Sequence, residues 1–420
     1  MSRRPPFEPI VYAQELEKSG NYATYEQLLY RWTGTHWSMV DDESGVKQAM
    51  RWIADGNHGI VNPSNAKSTH QTALLWLPSL KETHSRAIIP VKNGYLHLDG
   101  TPSLLPHDKK LGIRHVLDCN FDPAAATPTE FFKLLERILP DAEVRDRVQE
   151  YCGYTLLPDA RFQCAQLWVG SGANGKGTLA NILQALHTNK AAASPNKLDG
   201  FHAATVLGAS LLYCDEAPPN DWCEQTLKSM VAGESVAIDR KYLPPITARV
   251  TGKWLILANH IPAIKDQSNG FWRRFGVVPF PVSIPAAERD PLLAERIIKH
   301  ELSAVLNWAV EGLQRLLLRG RFDPNMPRAM QNAIQSAKVE TNSVHSWISD
   351  AAIELMTDLS TAKAEVYAVY SAWCKQNGML AVSAPKFWKR LQESLGEIIE
   401  SRSFTSEGAR IRTCNVRLTS

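Results

Sequence analysis

Several things are missing from this sequence, and each absence removes a class of function. The seven cysteines, Cys119, Cys152, Cys164, Cys214, Cys223, Cys374 and Cys414, are scattered, and no two form a Cys-x-x-Cys pair. A structural zinc site is therefore not expected, and the thiols should stay reduced, as in a cytosol. No run of about 18 apolar residues is present to cross a bilayer, so no membrane partner is expected. Met1-Ser2-Arg3-Arg4-Pro5-Pro6 is basic, but no apolar core follows it as in a secretory signal. An excess of one charge is lacking too: 46 Lys and Arg against 43 Asp and Glu leave +3 over 420 residues. Such a chain does not coat nucleic acid by bulk charge, and contact with it must come from local basic groups. Internal repeats and long low-complexity runs are absent. What is there is ordinary, 44% hydrophobic and 21% charged, enough to build real cores in two to four domains.

Residues 1–160 mix helix and strand signals and read as an α+β N-terminal domain. Tyr25, Leu28, Leu29 and Trp32 have helical spacing. Residues 88–98 read as a strand, an Asn93-Gly94 turn and a second strand. Residues 131–139 and 144–151 read as helices; Pro140 cannot continue the first, and Asp141 is suited to cap the second. Residues 161–320 read as an α/β core. Its segments 166–169, 211–214 and 254–258 are short and largely apolar, the pattern of strands in a sheet covered on both faces. Residues 291–319 repeat Leu302, Val305, Leu306, Ala309, Leu313, Leu316 and Leu317 at the spacing of one amphipathic helix. Residues 321–343 read as a linker or loosely packed helix, broken at Asp323-Pro324-Asn325-Met326-Pro327. Residues 344–420 read as three helices, the clearer ones at 366–373 and 385–395, and then two strands, 398–404 and 409–418, joined through Ser406-Glu407-Gly408. That order resembles a winged helix.

Gly170-Ser171-Gly172-Ala173-Asn174-Gly175-Lys176-Gly177-Thr178 follows a strand and precedes a helix at 179–186, the setting a phosphate-binding loop requires. Glycines let backbone amides turn towards phosphate oxygens. The helix aims its positive end at the same anion, and Lys176 brings a full charge to the β- and γ-phosphates. The loop thus predicts ATP and Mg2+ as ligands, against the plainer alternative of a glycine-rich turn that holds nothing. Ser or Thr usually follows the lysine directly. Here Gly177 does and Thr178 comes next, the Gly-Lys-Gly-Thr order of adenylate kinases.

Leu211-Leu212-Tyr213-Cys214-Asp215-Glu216 is an apolar strand ending in two acids, 39 residues from Lys176 to Asp215. The first acid can hold the metal together with Thr178, and the second can polarise an attacking water; acids at a strand end can also simply cap a turn. Trp254-Leu255-Ile256-Leu257-Ala258-Asn259 ends in an amide able to orient water and touch a γ-phosphate, or to start the His260-Ile261-Pro262 turn. Arg273 and Arg274 stand among Phe271, Trp272 and Phe275. Arginine suits a charged transition state and can act from a neighbouring subunit, and a structural ion pair or cation–π contact is the alternative. Residues 237–250 alternate, turn near Pro244 and Pro245, and alternate again, a hairpin with Arg240, Lys241 and Tyr242 near its tip. A cation beside a ring can meet one phosphate and pack on a sugar or base, although a solvated hairpin would look the same.

This order of phosphate loop, Asp-Glu strand, basic hairpin, strand ending in Asn and arginine pair, all within residues 170–274, resembles superfamily 3 helicases. The flanks agree: Asn93-Gly94 through Asp122-Pro123, then Gln149-Glu150-Tyr151-Cys152-Gly153-Tyr154-Thr155-Leu156-Leu157, are similar to the segment before the core of phage and plasmid primase–helicases and of the poxvirus replication NTPase. Val366-Tyr367, Tyr370, Trp373-Cys374, Asn377-Gly378 and Phe387 resemble the winged-helix tail of the same proteins.

The resemblance implies an AAA+-like P-loop core and a ring of six identical subunits with ATP at each boundary. It implies catalytic roles for Lys176, Asp215, Glu216, Asn259, Arg273 and Arg274, the last reaching into a neighbour's site. Gly170, Gly172, Asn174, Gly175, Lys176, Gly177 and Thr178 match the nucleotide loop. Asp239-Arg240-Lys241-Tyr242 matches the pore hairpin of papillomavirus replicative helicases, with Tyr242 where those have His. Single-stranded and forked DNA are the implied partners, 3′ to 5′ the implied direction, and the cytoplasm of a bacterial host the implied location. Members often carry a primase domain in front; no Asp-x-Asp primase site is found here, so priming is expected from a separate primase or polymerase or from a missing part of the chain. Two other readings compete. One is an origin-binding initiator or loader that uses ATP only to assemble; residues 361–420 carry a net charge of about +4. The other is a small-molecule kinase, which leaves the Asp-Glu strand, hairpin and arginine pair without purpose.

Overall fold

The computed structural model describes residues 6–81, 87–240, 243–262, 264, 266, 269–341, 343–356, 359–377, 379, 381–404 and 410–418. They fall into two units, residues 1–260 with 270–330, and residues 261–269 with 331–420.

The first unit begins with α1 (Pro9–Ser19) and the meander β1 (Tyr22–Tyr25), β2 (Leu28–Trp32) and β3 (Trp37–Val40). Tyr25, Leu28, Leu29 and Trp32 therefore do not share a helix. Glu26 and Gln27 take φ of 48° and 65°, the left-handed pair that reverses a two-residue hairpin, and Tyr25 pairs directly with Leu28. The turn's two residues create the spacing of three and four that mimics a helix. Two helices follow, α2 (Asp42–Asp55), capped by Asp41, and α3 (Pro63–Trp76), capped by Asn62. Tyr12, Leu16, Ala49, Ala73 and Leu77 bury the seam among them.

β4 (Ile88–Val91), β5 (Gly94–His97) and β6 (Ser103–Leu105) form a second antiparallel sheet. Its first turn is Lys92–Asn93, with Gly94 already in the ladder opposite Val91, one residue earlier than the Asn-Gly reading. α4 (Thr129–Ile138) and α5 (Ala142–Thr155) come next. The Asp141 carboxylate accepts from the amides of Glu143 and Val144, as expected of a cap.

The remaining elements of this unit are β7 (Ala165–Val169), α6 (Lys176–Ala185), β8 (Lys190–Ala192), β9 (Leu211–Cys214), α7 (Glu224–Val231), β10 (Ser235–Arg240), β11 (Leu243–Arg249), β12 (Lys253–Ala258), α8 (Asn269–Trp272), β13 (Phe275–Pro279), α9 (Leu293–His300) and α10 (Leu302–Arg319). Five of the strands make one parallel sheet in the order β13-β7-β12-β9-β8. Every residue of β12 is buried, which is why the central strands read as apolar runs. Residues 291–319 are not one helix. The chain breaks at Glu301, whose carboxylate leaves its own helix to accept the amides of Glu130 and Phe131 at the start of α4. α10 packs on α5 at backbone distance. A Cβ on Gly153 would sit 2.3 Å from the Ala309 carbonyl oxygen, and one on Gly312 2.5 Å from that of Gln149.

The stretch read as a linker or loosely packed helix holds α11 (Arg328–Thr341). The second unit then holds α12 (Ser343–Asp350), β14 (Glu354–Leu355), β15 (Thr361–Ala362), α13 (Lys363–Gln376), α14 (Ala384–Leu395), β16 (Glu400–Phe404), β17 (Arg410–Cys414) and β18 (Val416–Arg417). Trp347, Tyr370, Phe387 and Leu391 centre its core. β16 and β17 pair as the expected hairpin; its Ser406-Glu407-Gly408 connection lies outside the described residues. Among the described residues no helix is long and apolar enough to cross a membrane.

Candidate functional site

Because the sheet is parallel, β7, β12 and β9 all end at one edge, and there they deliver Gly170, Asn259 and Asp215. The crevice outside the carboxyl ends of parallel strands is where such sheets bind ligands. From Gly170 the chain loops through Gly172, Ala173 and Gly175, with φ of 94°, 48° and 77°, into α6. Gly175 is required twice over: its φ is left-handed, and a Cβ there would lie 2.6 Å from Ile138 Cγ2. At Gly177 a Cβ would meet nothing within 4 Å, so the backbone of the first turn faces open space. Free amides in that turn are suited to an anion.

Lys176 folds back across the loop. Its Nζ donates to the Gly170 carbonyl at 2.9 Å and to Asn259 Oδ1 at 3.1 Å, so one ammonium joins the ends of two neighbouring strands. Burial lowers its pKa from the ordinary lysine value. Asn174 is buried and braces the loop from within, its Oδ1 accepting the Lys176 amide at 3.4 Å and its Nδ2 donating to the Phe280 carbonyl at 3.5 Å.

Asp215 and Glu216 are exposed just beyond β9. The Ala217 amide donates to the Leu257 carbonyl at 2.8 Å, tying this turn to β12. Neither carboxylate has a hydrogen-bond partner among the described residues, leaving both for ligand or water. Thr178 stands in the first turn of α6. With Ala173 and Gly175 it lines a 620 Å³ cleft that also takes Glu130, Lys133 and Arg137 from α4. Asp215 is not among the residues lining that cleft. Sequence reading missed the α4 contribution, although Lys133 and Arg137 stand four apart on that helix's polar side, where both could have been marked.

Arg273 and Arg274 stand at the opposite edge. Phe275 pairs with Ala165 at the start of both strands, and Arg274 lies one residue before that pair. Its carbonyl accepts the Ala165 amide at 2.7 Å and its Nη1 donates to the Gly270 carbonyl at 3.0 Å. The buried Nε has no hydrogen-bond partner among the described residues. Five residues of strand, about 16 Å, separate this pair from the loop of its own chain.

β10 and β11 form a separate two-stranded ribbon in which Arg240 pairs with Leu243, so Lys241 and Tyr242, the expected tip, lie outside the described residues. Pro244 and Pro245 lie within β11 rather than at the turn. Proline is tolerated where a strand has a free edge. The Arg240 guanidinium is already engaged. It donates to Asp42 Oδ2 on α2 at 2.7 Å and to the Pro244 carbonyl at 3.1 Å. The other Asp42 oxygen lies 3.4 Å from His70 Nε2. At the far end of the ribbon the Arg249 amide donates to Glu26 Oε2 at 2.9 Å. The ribbon is thus clipped to the N-terminal elements at both ends.

Three comparisons bear on this geometry. Residues 168–274, which run from the end of β7 to the arginine pair, match a family described as a family of unknown function, DUF5906. Over 159 residues, 35% of this chain, the sequence is 26% identical to the "Putative helicase L207/L206" of Acanthamoeba polyphaga mimivirus; the match covers 16% of that protein. The apo C-terminal region of NrS-1 superposes with a TM-score of 0.56 at 12% identity, over 97% of this chain and 99% of that one. Its A-form apo structure gives 0.54 at 12% identity, over 98% and 100%. The chain therefore shares the fold of the NrS-1 C-terminal region, a mixed α/β fold built on a parallel sheet.

Proposed function

We propose that this chain is an ATP-driven DNA helicase of the superfamily 3 type that works as a ring, most simply a hexamer. The observation that carries the reading is the division of labour between the two edges of the sheet. Loop, lysine, amide and two free acids stand at one edge, and the arginine pair stands at the other. A lone chain has no means of bringing Arg274 to its own loop. A head-to-tail neighbour, as in a closed ring, can present it. The match to a protein described as a helicase, over part of the chain, supports the same reading.

In this mechanism the first-turn amides of α6 and Lys176 hold the phosphates of ATP, and the 620 Å³ cleft beside α4 takes the nucleoside. The donor set fits a magnesium nucleotide: an ammonium, open space over Gly177 and unpaired carboxylates share one sheet edge. Magnesium, held by Asp215 and Thr178, would offset charge on the β- and γ-phosphates. Glu216 orients and deprotonates the attacking water. Asn259 holds Lys176 and senses the γ-phosphate, and Arg274 of the adjoining subunit, with Arg273 beside it, stabilises the charge that builds on transfer. Lys241 and Tyr242 on the hairpin grip one DNA strand in the pore and draw it 3′ to 5′. Residues 1–160, 161–320, 321–343 and 344–420 are the corresponding N-terminal, motor, linker and winged-helix segments. The motor works in the cytoplasm of a bacterial host, with a separate primase or polymerase as a partner.

Strand displacement on a forked DNA with one 3′ tail tests the reading, with ATP and magnesium, comparing wild type with Glu216→Gln. Unwinding by the wild type alone is expected. Binding of the fork without unwinding would replace the motor with an initiator or loader.

A further inference from the structure

The second unit ends in an antiparallel ribbon that the proposed motor does not use. The register of β16 and β17 sets Arg402 directly opposite Arg412, and Phe404 directly opposite Arg410. Residues directly opposite in a ladder project from the same face, and positions two apart along a strand share it. Arg402, Phe404, Arg410 and Arg412 therefore form one group, and all four are exposed, Phe404 by 71%. On the other face the hydroxyls of Ser401 and Thr413 bond at 2.7 Å, and Thr413 is buried.

Like charges facing each other across a ladder destabilise it. Among the described residues no carboxylate pairs with any of the three arginines. The single acid on these two strands, Glu400, is held by Lys363, whose ammonium also lies 4.2 Å from the Trp388 ring centroid. Among the described residues the ribbon thus presents three unneutralised guanidinium groups around an exposed aromatic ring. A ligand complementary to that face is a polyanion that also carries flat apolar rings.

We propose that this face of the β16–β17 ribbon binds single-stranded nucleic acid. Arg402, Arg410 and Arg412 take successive phosphates, for which the planar guanidinium is suited. Phe404 stacks on a base. The exposed ring is what favours a single strand, because a duplex keeps its bases stacked on each other. This contact is additional to the β10–β11 hairpin and needs no hydrolysis.

Anisotropy of a fluorescein-labelled oligodeoxythymidine, titrated with the full chain across a salt series without nucleotide, tests the inference. Replacing all three arginines by alanine should reduce the slope of log affinity against log salt by about 2, since each phosphate contact on a single strand contributes about 0.7. Replacing all three by lysine should keep that slope, which separates lost charge from a lost fold. Phe404→Ala should weaken binding by roughly fivefold to a hundredfold, leave the slope alone and remove the preference for single strand over blunt duplex. An unchanged slope in the alanine triple variant, or unchanged affinity in Phe404→Ala, overturns the proposal. Loss of binding in Lys241→Ala with the ribbon variants unaffected would sink the ribbon and leave the helicase standing. Loss in the ribbon variants with a wild type that never unwinds would do the reverse.

Discussion

Lys176 Nζ lies 3.1 Å from Asn259 Oδ1, so the loop after one strand is held by the residue that ends the strand beside it. Lys176→Ala should abolish hydrolysis. Asn259→Ala should leave ATP bound but lower kcat by about a hundredfold to a thousandfold, the usual loss for one preorganised polar group. Nucleotide affinity and turnover, measured on the same preparation, separate the two effects. A parallel fall in both would make Asn259 a brace for the loop only.

Arg274→Ala should bind ATP and fail to hydrolyse it. Because the arginine and the loop of one chain stand at opposite edges of the sheet, mixing Arg274→Ala subunits with Lys176→Ala subunits should restore part of the activity. Every boundary at which an Arg274→Ala subunit supplies the loop and a Lys176→Ala subunit the arginine then has both intact, while the reverse order has neither. Mixtures as inactive as their parents would place the arginine's role within its own chain.

Asp42→Ala should free the ribbon of β10 and β11. The pair it forms with Arg240 is largely shielded from water, at 22% and 13% side-chain exposure, and its loss should cost about 2 kcal/mol, as for other charge-assisted contacts. Hydrogen exchange of the Ser235–Arg240 and Leu243–Arg249 amides should quicken. Exchange identical to wild type would show the ribbon to be held by its other contacts.

Lys253 is a buried lysine at the start of β12, its Nζ donating to the Leu157 carbonyl and lying 5.2 Å from the Tyr154 ring centroid. Burial pulls its pKa down to about 7, and nearby Asp159 offsets only part of that. Between about pH 7 and the ordinary lysine value of 10.5 the unfolded chain holds a proton that the folded chain does not. This residue therefore makes stability rise with pH across that window, by at most about 1.4 kcal/mol per pH unit. Lys253→Met should lack the rise. Urea unfolding of both proteins at roughly pH 7 and roughly pH 9 checks it, and equal slopes would mean that Lys253 stays charged when folded.

What was legible in the sequence was local or periodic. Strands covered on both faces are apolar throughout, so β7, β9 and β12 stood out, and the loop from Gly170 to Lys176 declared itself by composition. Contacts between distant residues left no trace. Asp42 and Arg240 are 198 positions apart and meet only in the fold. Glu26 and Gln27 form a left-handed turn without the Asn or Gly that normally signals one. The helical stretch at 291–319 divides at Glu301, just before its apolar repeat begins, and the Glu301 carboxylate serves another helix. Lys253 opens a strand whose other members are apolar or small, and nothing in its neighbours marks it as buried.

The place of β7 in its sheet bears on how the chain is made. It is the first of the five strands to be synthesised, yet it sits between β12 and β13, two of the last. At ribosomal speeds of about 5–20 residues per second, the 110 residues from Val169 to Pro279 take roughly five to twenty seconds to emerge. Until β12 emerges both edges of this apolar strand stand bare in the cell, and one of them stays bare until β13 follows. Expression yield should thus depend on holdase chaperones and on growth temperature more than the finished fold's stability would suggest.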